Sequence, residues 1–381
     1  MKRLLSALAI AGLVMAALPA VTNAGPTAGG YASDNVEYVG YVPFEVGTAT
    51  GVNFWNKGKN MVVTSWKDLS TYDISDPESP SLLAKIPFGF RFENEDVSTN
   101  GKIMLFSEQL PQNILHVYDI EDPSNPQEVS TLPGGGGHTS ECILNCKFSY
   151  ASTGAIVDLS DPADPKLLKE NWMEIVGVQG GIHDVDEFKK GFIITSPISS
   201  AFQVIDVRNP TKPKVLYQGP HPEPENWLFH SGTWPRKGKD KLVMMQGEQN
   251  FENQCSDTNG PFTTWDASKV KKTKTFKLVD TYRVQNGTYN DGAPPANALG
   301  CSAHWFDEHS KFKNGGFVAI GYYEHGTRFL DIASNGKIKE AGWFVPWGGS
   351  TSAAYWVGKD LVYAVDYTRG IDIIRYTDKI K

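Results

Sequence analysis

Four histidines occur in stretches of similar pattern, each near the start of a segment in which apolar and polar residues alternate. They are His138 in GGGGHTSEC, His183 in GGIHDVDEF, His230 in LFHSGTWP and His304 in SAHWFDEH. Imidazole is the commonest protein ligand of transition metals, and several imidazoles that meet at one point form a metal site. These residue types therefore predict metal chemistry, provided that the fold brings the four rings together.

Carboxylates accompany the histidines. Glu95 in NEDVST aligns with the histidine position, and Glu108 in FSEQ, Glu248 in QGEQ and Glu324 with His325 in YYEHG lie before turns that we expect on the same side of the molecule. A histidine ligand usually donates its second N–H to a carboxylate, which fixes the ring. We expect Glu95 and Glu108 to belong to the metal set, and Glu248, Glu324 and His325 to be catalytic residues.

The elements that would position these residues come from an internal repeat. Units such as TYDISDPESPSLLAKIP and VIDVRNPTKPKVLYQGP recur along the chain. Each contains an apolar strand that ends at an aspartate, and the following Asp/Asn-Pro segment makes a turn. The repeated aspartates are Asp73, Asp119, Asp158, Asp206, Asp266, Asp331 and Asp372. Four strands per unit at this period are typical of a β-propeller blade, so the sequence predicts an all-β, seven-bladed propeller over residues 36–381.

The repeat also predicts where the histidines lie. Aligned units put His183, His230 and His304 at one position, and His138 lies two residues before that position, which keeps it on the same side of a strand. The inner strand of a propeller blade starts at the mouth of the central channel, so we expect the ring nitrogens within roughly 3–5 Å of one another. Alternatively, such histidines bond the backbone of a neighbouring blade or fill the channel.

The segments VIDVRNPTKPKVL and IVDLSDPADPKLL resemble the LVIVD repeat, a bacterial extracellular propeller repeat. The resemblance covers nearly the whole chain after its first residues, strongly in the first four units and weakly in the last three. It implies a propeller fold and an extracytoplasmic location, but it names no reaction.

The first residues indicate export. Two basic residues, an apolar run and then small residues predict a signal peptide at 1–24, followed by a flexible segment at 25–35 and a strand near 36–43 that completes the last blade. We expect a periplasmic or secreted protein with no membrane span. The formal net charge of −7 argues against nucleic acid as a partner.

Four cysteines in an exported protein predict disulfides, with three pairings open. We favour Cys255 with Cys301, because both lie in long loops on the face of the channel mouth, and this leaves Cys142 with Cys146. Alternatively, Cys142 is a metal thiolate near His138.

These observations lead to two functional hypotheses. The first is a metal-dependent oxidoreductase or lyase that uses Fe, Cu, Mn or Zn and acts on a small-molecule substrate at the channel mouth. The second is a non-catalytic scaffold that binds protein or glycan. Four imidazoles suit several metals, so the residue types do not select one.

Overall fold

The computed structural model describes residues 29–43, 49–65, 67–88, 95, 97–220, 228–235, 241–248, 255, 259–284 and 300–380. Strands dominate this part of the chain, and they form seven antiparallel sheets arranged as the blades of a propeller. The prediction of a seven-bladed β-propeller is confirmed. The predicted signal peptide at 1–24 lies outside the described residues.

Each blade has four main strands, and in blades one to six they run outward from the channel in chain order. Blades one to three contain β3 (Ala49–Trp55), β4 (Asn60–Ser65), β5 (Asp68–Asp73) and β6 (Ser81–Pro87); β7 (Ser98–Thr99), β8 (Ile103–Glu108), β9 (Ile114–Asp119) and β10 (Gln127–Leu132); and β11 (Ser140–Ile143), β12 (Phe148–Ala151), β13 (Ala155–Asp158) and β14 (Lys166–Asn171). Blades four to six contain β15 (Ile182–Lys189), β16 (Phe192–Pro197), β17 (Gln203–Asp206) and β18 (Lys214–Gln218); β19 (Leu228–Thr233), β20 (Leu242–Glu248), β21 (Phe262–Asp266) and β22 (Lys277–Tyr282); and β23 (Phe306–Glu308), β24 (Gly316–Gly321), β25 (Thr327–Ile332) and β26 (Ile338–Pro346). Blade seven contains β27 (Thr351–Val357), β28 (Leu361–Asp366) and β29 (Gly370–Tyr376), with β2 (Val36–Pro43) as its outer strand, and β1 (Gly30–Ala32) extends blade six.

In the described part of the chain the helices are short: α1 (Trp172–Val176), α2 (Val270–Thr273) and a 3-10 turn at Asn56–Gly58. Within the described ranges, no helix has the length and apolar character needed to cross a membrane.

The blades pack through both faces of their inner strands. In β8, Ile103 and Leu105 pack against blade three, whereas Met104 and Phe106 pack against blade one. This alternation follows from the two-residue period of a strand, and it explains why the repeat reads as a nearly continuous apolar run. Among the described residues, an apolar cluster occupies each of the seven blade-to-blade interfaces. Each large buried side chain contributes about 1.5–3 kcal/mol, so the interfaces hold the ring together.

The N-terminal part of the chain contributes strands to two blades. Residues of β2 pair with β29 from Val36 to Pro43, and β1 pairs with β26. A Cβ atom on Gly30 would lie 2.3 Å from the carbonyl oxygen of Val345, so glycine is what allows β1 to approach this closely. Close backbone contact therefore allows a short strand within the segment 25–35, whose flexibility stays a prediction.

Aspartates at the ends of the third strands form local turns. The carboxylate of Asp119 accepts a hydrogen bond from the backbone N–H of Glu121 at 2.9 Å, and Asp73 caps Ser75 in the same way. Blade seven departs from the repeat. In blade one, the repeat aspartate Asp73 pairs with Asn60, the first residue of the second strand. In blade seven, the first residue of the second strand, Leu361, pairs with Arg375 instead. Asp372 lies three residues before Arg375, so its assignment to the repeated aspartates is wrong.

Both expected disulfides are present. Cys255 is bonded to Cys301, and Cys142 is bonded to Cys146. The alternative of Cys142 as a metal thiolate is wrong, because its sulfur is already in a disulfide.

Candidate metal centre

β-Bulges at the start of two inner strands determine the side-chain direction of two of the histidines. The pairing of β15 with β16 shifts register between Ile182 and Asp184, and that of β19 with β20 shifts between Phe229 and Ser231. The residues inside these bulges are His183 and His230. Because a bulge bends the strand and redirects a side chain, it points both rings out of the blade interface and toward the channel.

The other two histidines precede their inner strands and are fixed through their backbones. The backbone N–H of His138 donates to the hydroxyl of Ser152 at 2.8 Å, and that of His304 donates to the carbonyl of Gly321 at 2.8 Å. His304 is thereby tied to the end of the second strand of blade six, and His138 to the residue that follows the second strand of blade three. Four consecutive blades, three to six, each present one imidazole.

The four rings form an arc in blade order. The ring centroids of His138 and His183 are 4.7 Å apart, those of His183 and His230 3.7 Å, and those of His230 and His304 4.1 Å. The Nε2 atoms of His138 and His183 lie 3.1 Å apart. The structure therefore brings together the four histidines that the repeat singles out.

Glu95, from the connection into blade two, lies at the centre of the arc. Its Oε2 atom is 3.2 Å from Nε2 of His230, 3.5 Å from that of His304, 3.8 Å from that of His183 and 3.9 Å from that of His138. The ligand atoms of Glu95, His183 and His230 all lie within 4.8 Å of one another, close enough to hold one metal ion. Glu95 therefore lies on the Nε2 side of the rings. A carboxylate that only orients a histidine ligand would instead contact the other ring nitrogen, Nδ1.

Two aromatic side chains hold the Glu95 carboxylate in place. The hydroxyl of Tyr367 donates to Oε1 at 2.6 Å, and the indole N–H of Trp305 donates to Oε2 at 3.3 Å. Burial alone would raise the pKa of Glu95, but the rings of His304 and His230 outweigh burial and hold that pKa well below its usual range. Glu95 is therefore an ionised carboxylate at neutral pH.

The tautomer of His304 follows from its backbone contact. Its Nδ1 atom lies 2.7 Å from the carbonyl oxygen of Ser352, and since a carbonyl only accepts, Nδ1 carries the proton. In the neutral ring, Nε2 then presents a lone pair to Oε2 of Glu95. A lone pair that faces a carboxylate oxygen at 3.5 Å is repulsive unless a positive charge lies between them.

His183 is held in the form that binds metals. Burial, together with the neighbouring rings of His230 and His138, keeps the pKa of His183 well below its usual range. A neutral imidazole is the metal-binding form of histidine. Imidazole nitrogens and one ionised carboxylate are a donor set that suits a divalent first-row transition ion.

Three further predicted residues, Glu108, Glu324 and His325, contact residues outside this cluster in the described part of the structure. Glu108 lies 3.6 Å from Nε2 of His116, on the second and third strands of blade two, so its place in the metal set stays a prediction, which this contact does not favour. Glu324 accepts a hydrogen bond from the backbone N–H of Gly300 at 2.6 Å. His325 is buried near the Cys255–Cys301 disulfide, and burial, reinforced by Arg328, lowers its pKa to about 3.

These contacts give Glu324 and His325 a role in supporting the loop that precedes His304. The disulfide sulfurs near His325 are bonded to each other, so they are not thiolate ligands. The catalytic role predicted for Glu324 and His325 stays a prediction, which their position does not favour. The side chain of Glu248 lies outside the described part of the structure.

Sequence reasoning missed the support of Glu95. Trp305 directly follows His304, and Tyr367 lies in the turn between β28 and β29, so only the closed ring brings both to Glu95. Tyr323, which has a φ of +48°, places its ring 4.7 Å from that of His304. A bulky residue at positive φ is uncommon and marks a constrained position.

A shallow cleft of about 640 Å³ lies between β6 and β10. Its lining contains none of the four histidines and does not contain Glu95.

Comparison with known proteins agrees with the repeat. Residues 55–86, which span β4, β5 and most of β6, match the family model of the LVIVD repeat. The chain carries an LVIVD repeat. This confirms the resemblance seen in the sequence, and the matched unit is the one that contains Asp73.

Solved structures support the fold alone. The β-propeller domain of Cps50 (Swd1) from Myceliophteria thermophila superimposes with a TM-score of 0.60 at 12% identity, covering 88% of this chain and 99% of that one. The WD40 repeats of RRP9 give a TM-score of 0.60 at 10% identity, covering 92% and 99%. No curated protein sequence matches the chain.

Proposed function

We propose that this propeller binds one divalent transition metal ion at the channel mouth and is a metal-dependent enzyme of the oxidoreductase or lyase type. The ligands would be drawn from Nε2 of His138, His183, His230 and His304 and from the Glu95 carboxylate. The observation that carries the proposal is the facing of four Nε2 atoms toward one carboxylate oxygen at 3.2–3.9 Å. A metal ion bound among these atoms would be coordinated by imidazole nitrogens and by an anionic oxygen, which are donors that divalent first-row ions accept.

The ion would supply a Lewis acid or a redox centre for a small substrate. The residues of the chain have separate tasks there. His304, anchored on Ser352, holds its Nε2 lone pair toward the centre, and Tyr367 and Trp305 hold the carboxylate of Glu95. The first-row ions Fe, Cu, Mn and Zn all accept nitrogen and carboxylate ligands, so the donor set leaves the choice among them to experiment.

Two disulfides in one chain are typical of proteins outside the cytoplasm, where thiols are oxidised. We therefore place the proposed enzyme in the periplasm or outside the cell, in agreement with the predicted signal peptide. Its substrate would be a small molecule, and not a nucleic acid, because the net charge is −7.

The second candidate is a non-catalytic scaffold. The outer strands of blades one to five each expose an apolar side chain, which favours a binding surface: Leu82, Val129, Leu167, Val215 and Leu278. Single exposed apolar residues are common on soluble proteins, however, and they carry less weight than the convergent imidazoles.

The test measures metal binding and access together. Metal-free protein is titrated with Fe(II), Cu(II), Mn(II) and Zn(II), and the Cu(II) form is then titrated with azide while its absorption and electron paramagnetic resonance spectra are recorded. We expect one ion per chain and a spectral change with azide, because an enzyme needs an open coordination position. Failure to bind any of the four ions would exclude the metalloenzyme. Binding without an azide response would favour a structural ion in a scaffold.

A further inference from the structure

A second cluster of buried polar side chains lies in blade seven, on the face that packs against blade six. Its two carboxylates, Asp366 and Asp372, are both 0% exposed. Asp372 pairs with Ala364, and Asp366 lies two residues further along β28, so both acids are on the same side of the sheet. Ala364 itself packs against blade six, which identifies that side.

Each carboxylate has one oxygen with partners and one without. Oδ1 of Asp366 accepts hydrogen bonds from the backbone N–H and the hydroxyl of Thr368, both at 2.8 Å. Oδ1 of Asp372 accepts from Nη2 of Arg369 at 2.5 Å. The Oδ2 atoms of both aspartates are buried without a partner at hydrogen-bond geometry, although the backbone N–H of Ser350 lies near enough to the Asp366 carboxylate to favour its charged form. Leaving a buried acceptor unpaired is costly, so such a pair of atoms indicates a ligand.

Two hydroxyl groups lie beside the carboxylates and are also without a partner, those of Ser350 and Thr351. Thr351 is paired directly with Asp366 across β27 and β28, so its side chain lies on the same face. Gly349 lies against the acid as well, since a Cβ atom there would meet Oδ2 of Asp366 at 2.3 Å. Two carboxylates and the hydroxyl of Thr351 therefore share one buried face of blade seven, and Ser350 directly precedes Thr351 at the edge of this face.

The charges around the cluster do not balance. Two ionised aspartates and the guanidinium of Arg369 leave one negative charge. The other titratable groups here are phenols: Tyr41 lies under the Arg369 guanidinium at 5.2 Å, and Tyr38 lies near Asp372. Burial raises the pKa of both acids, that of Asp372 to about 7 against the effect of Arg369, because the charged forms are costly here without a further positive charge. The cluster thus requires one further positive charge, from a metal cation or from a proton.

We propose that this cluster binds one hard metal cation, of the class Na⁺, K⁺ or Ca²⁺, through Oδ2 of Asp366 and Asp372 and the hydroxyls of Ser350 and Thr351. Carboxylate and hydroxyl oxygens are the ligands that such cations prefer, in contrast to the imidazoles at the channel mouth.

The cation would also stabilise residues that connect this cluster to the candidate metal centre at the channel mouth. Thr351 forms a bridge with Tyr323, and Tyr367 directly follows Asp366. Both tyrosines flank His304, so the cation would fix the loops that carry the support of the first site.

The test uses the full chain in a chelator-treated buffer near pH 8, with N-methylglucamine as the only cation. Thermal unfolding is followed after adding NaCl, KCl or CaCl₂ at matched ionic strength. We expect one of the three to raise the Tm by several degrees, because a ligand that binds only the folded state stabilises it. Equilibrium dialysis with that ion should give one ion per chain.

Asp366→Asn should abolish the cation-dependent shift, whereas Asp119→Asn, an aspartate outside the cluster, should leave it intact. If Asp366→Asn does not fold, Thr351→Val, which removes one hydroxyl without changing volume, should reduce the shift. His230→Ala should keep it, so this result is separate from that of the proposed transition-metal site. No shift with any cation, together with stability that falls as the pH is raised from about 5 to 8, would show that a proton fills the position and overturn the proposal. A shift that persists in Asp366→Asn would place the cation elsewhere and overturn it equally.

Discussion

The repeat carries two sets of polar side chains that behave in opposite ways. The aspartates at the ends of the third strands are satisfied locally, as when Asp73 accepts from the backbone N–H of Ser75 at 2.8 Å. The histidines at the starts of the first strands come from four different blades and meet at Glu95, which is bonded to Tyr367, 272 residues away. A polar residue that is satisfied by its own turn serves the fold. One that depends on a partner across the ring marks a site.

The largest effect should come from removing a histidine at the centre of the arc. Changing the outer-shell partners of a metal typically costs about 10–100-fold in affinity, so His230→Ala, which removes a direct ligand, should weaken metal binding by more than about 100-fold. The Tm of the metal-free protein should change little, because Phe229, and not His230, belongs to the apolar cluster between blades four and five. Competition titration and thermal unfolding measure the two effects.

His309→Ala provides the matched control for that variant. His309 is also buried, but its Nε2 is bonded to the carbonyl of Lys359 at 2.9 Å and its ring packs on Trp356. We expect this substitution to lower the Tm and leave metal affinity unchanged. The opposite pattern, with His230→Ala lowering the Tm and sparing metal affinity, would make His230 a packing residue.

On acidification, the histidines of the site and the aspartates of the turns should lose their contributions to stability over different pH ranges. Since the pKa of His183 is held below its usual value, the unfolded chain takes up a proton that the folded chain refuses, and stability falls as the pH drops below about 6.5. The loss is at most about 1.4 kcal/mol per pH unit for one group. The pKa of Asp73 is lowered by hydrogen bonds from Ser75, so its contribution persists until the pH falls below about 4.

Urea unfolding of the metal-free protein between about pH 6.5 and 4.5 tests this difference. His183→Gln should show a shallower loss of stability than the unmodified chain, whereas Asp73→Asn should show the same slope. Equal slopes for the unmodified chain and His183→Gln would mean that His183 titrates normally.

A smaller effect should follow from loosening Glu95. Tyr367→Phe removes the hydroxyl that donates to Oε1, and we expect metal affinity to fall by about 10-fold. Tyr363→Phe is the control, because Tyr363 is in the same blade and its hydroxyl donates to the carbonyl of Pro77 instead. Equal affinities for the two variants would show that Tyr367 does not position the carboxylate.

The smallest effect should come from the aspartate turns. Asp119→Ala removes one hydrogen bond to the backbone N–H of Glu121, so we expect a loss of about 1 kcal/mol in the free energy of unfolding. Metal affinity should stay the same. A change in metal affinity on this substitution would break the distinction between the two sets.

The sequence predicts most of the fold because the repeat reports one physical pattern several times. Alternating apolar residues and Asx-Pro turns are local, and they predict the blades and the side of the ring on which the histidines lie. The weak last unit misleads: GIDIIRYTD resembles the aspartate motif, but strand pairing puts Arg375 at that position and buries Asp372.

The candidate site is predicted in part for the same reason. The repeat position identifies His183, His230 and His304, whereas their aim depends on bulges that the residue pattern does not show. Glu108 was expected nearby because its turn is on the right face, but it contacts His116 further out along the blade. The contact of Tyr367 with Glu95 follows only from closure of the ring.

The most direct test of the metal centre is the metal content of the full chain, purified without added metal or chelator and measured by inductively coupled plasma mass spectrometry. The convergence of four Nε2 atoms on Glu95 predicts about one first-row transition ion per chain, and a far lower content in His230→Ala prepared in parallel. A chain that contains no such ion, and takes up none from Fe(II), Cu(II), Mn(II) or Zn(II), would contradict the account and leave the four histidines as a polar filling of the channel.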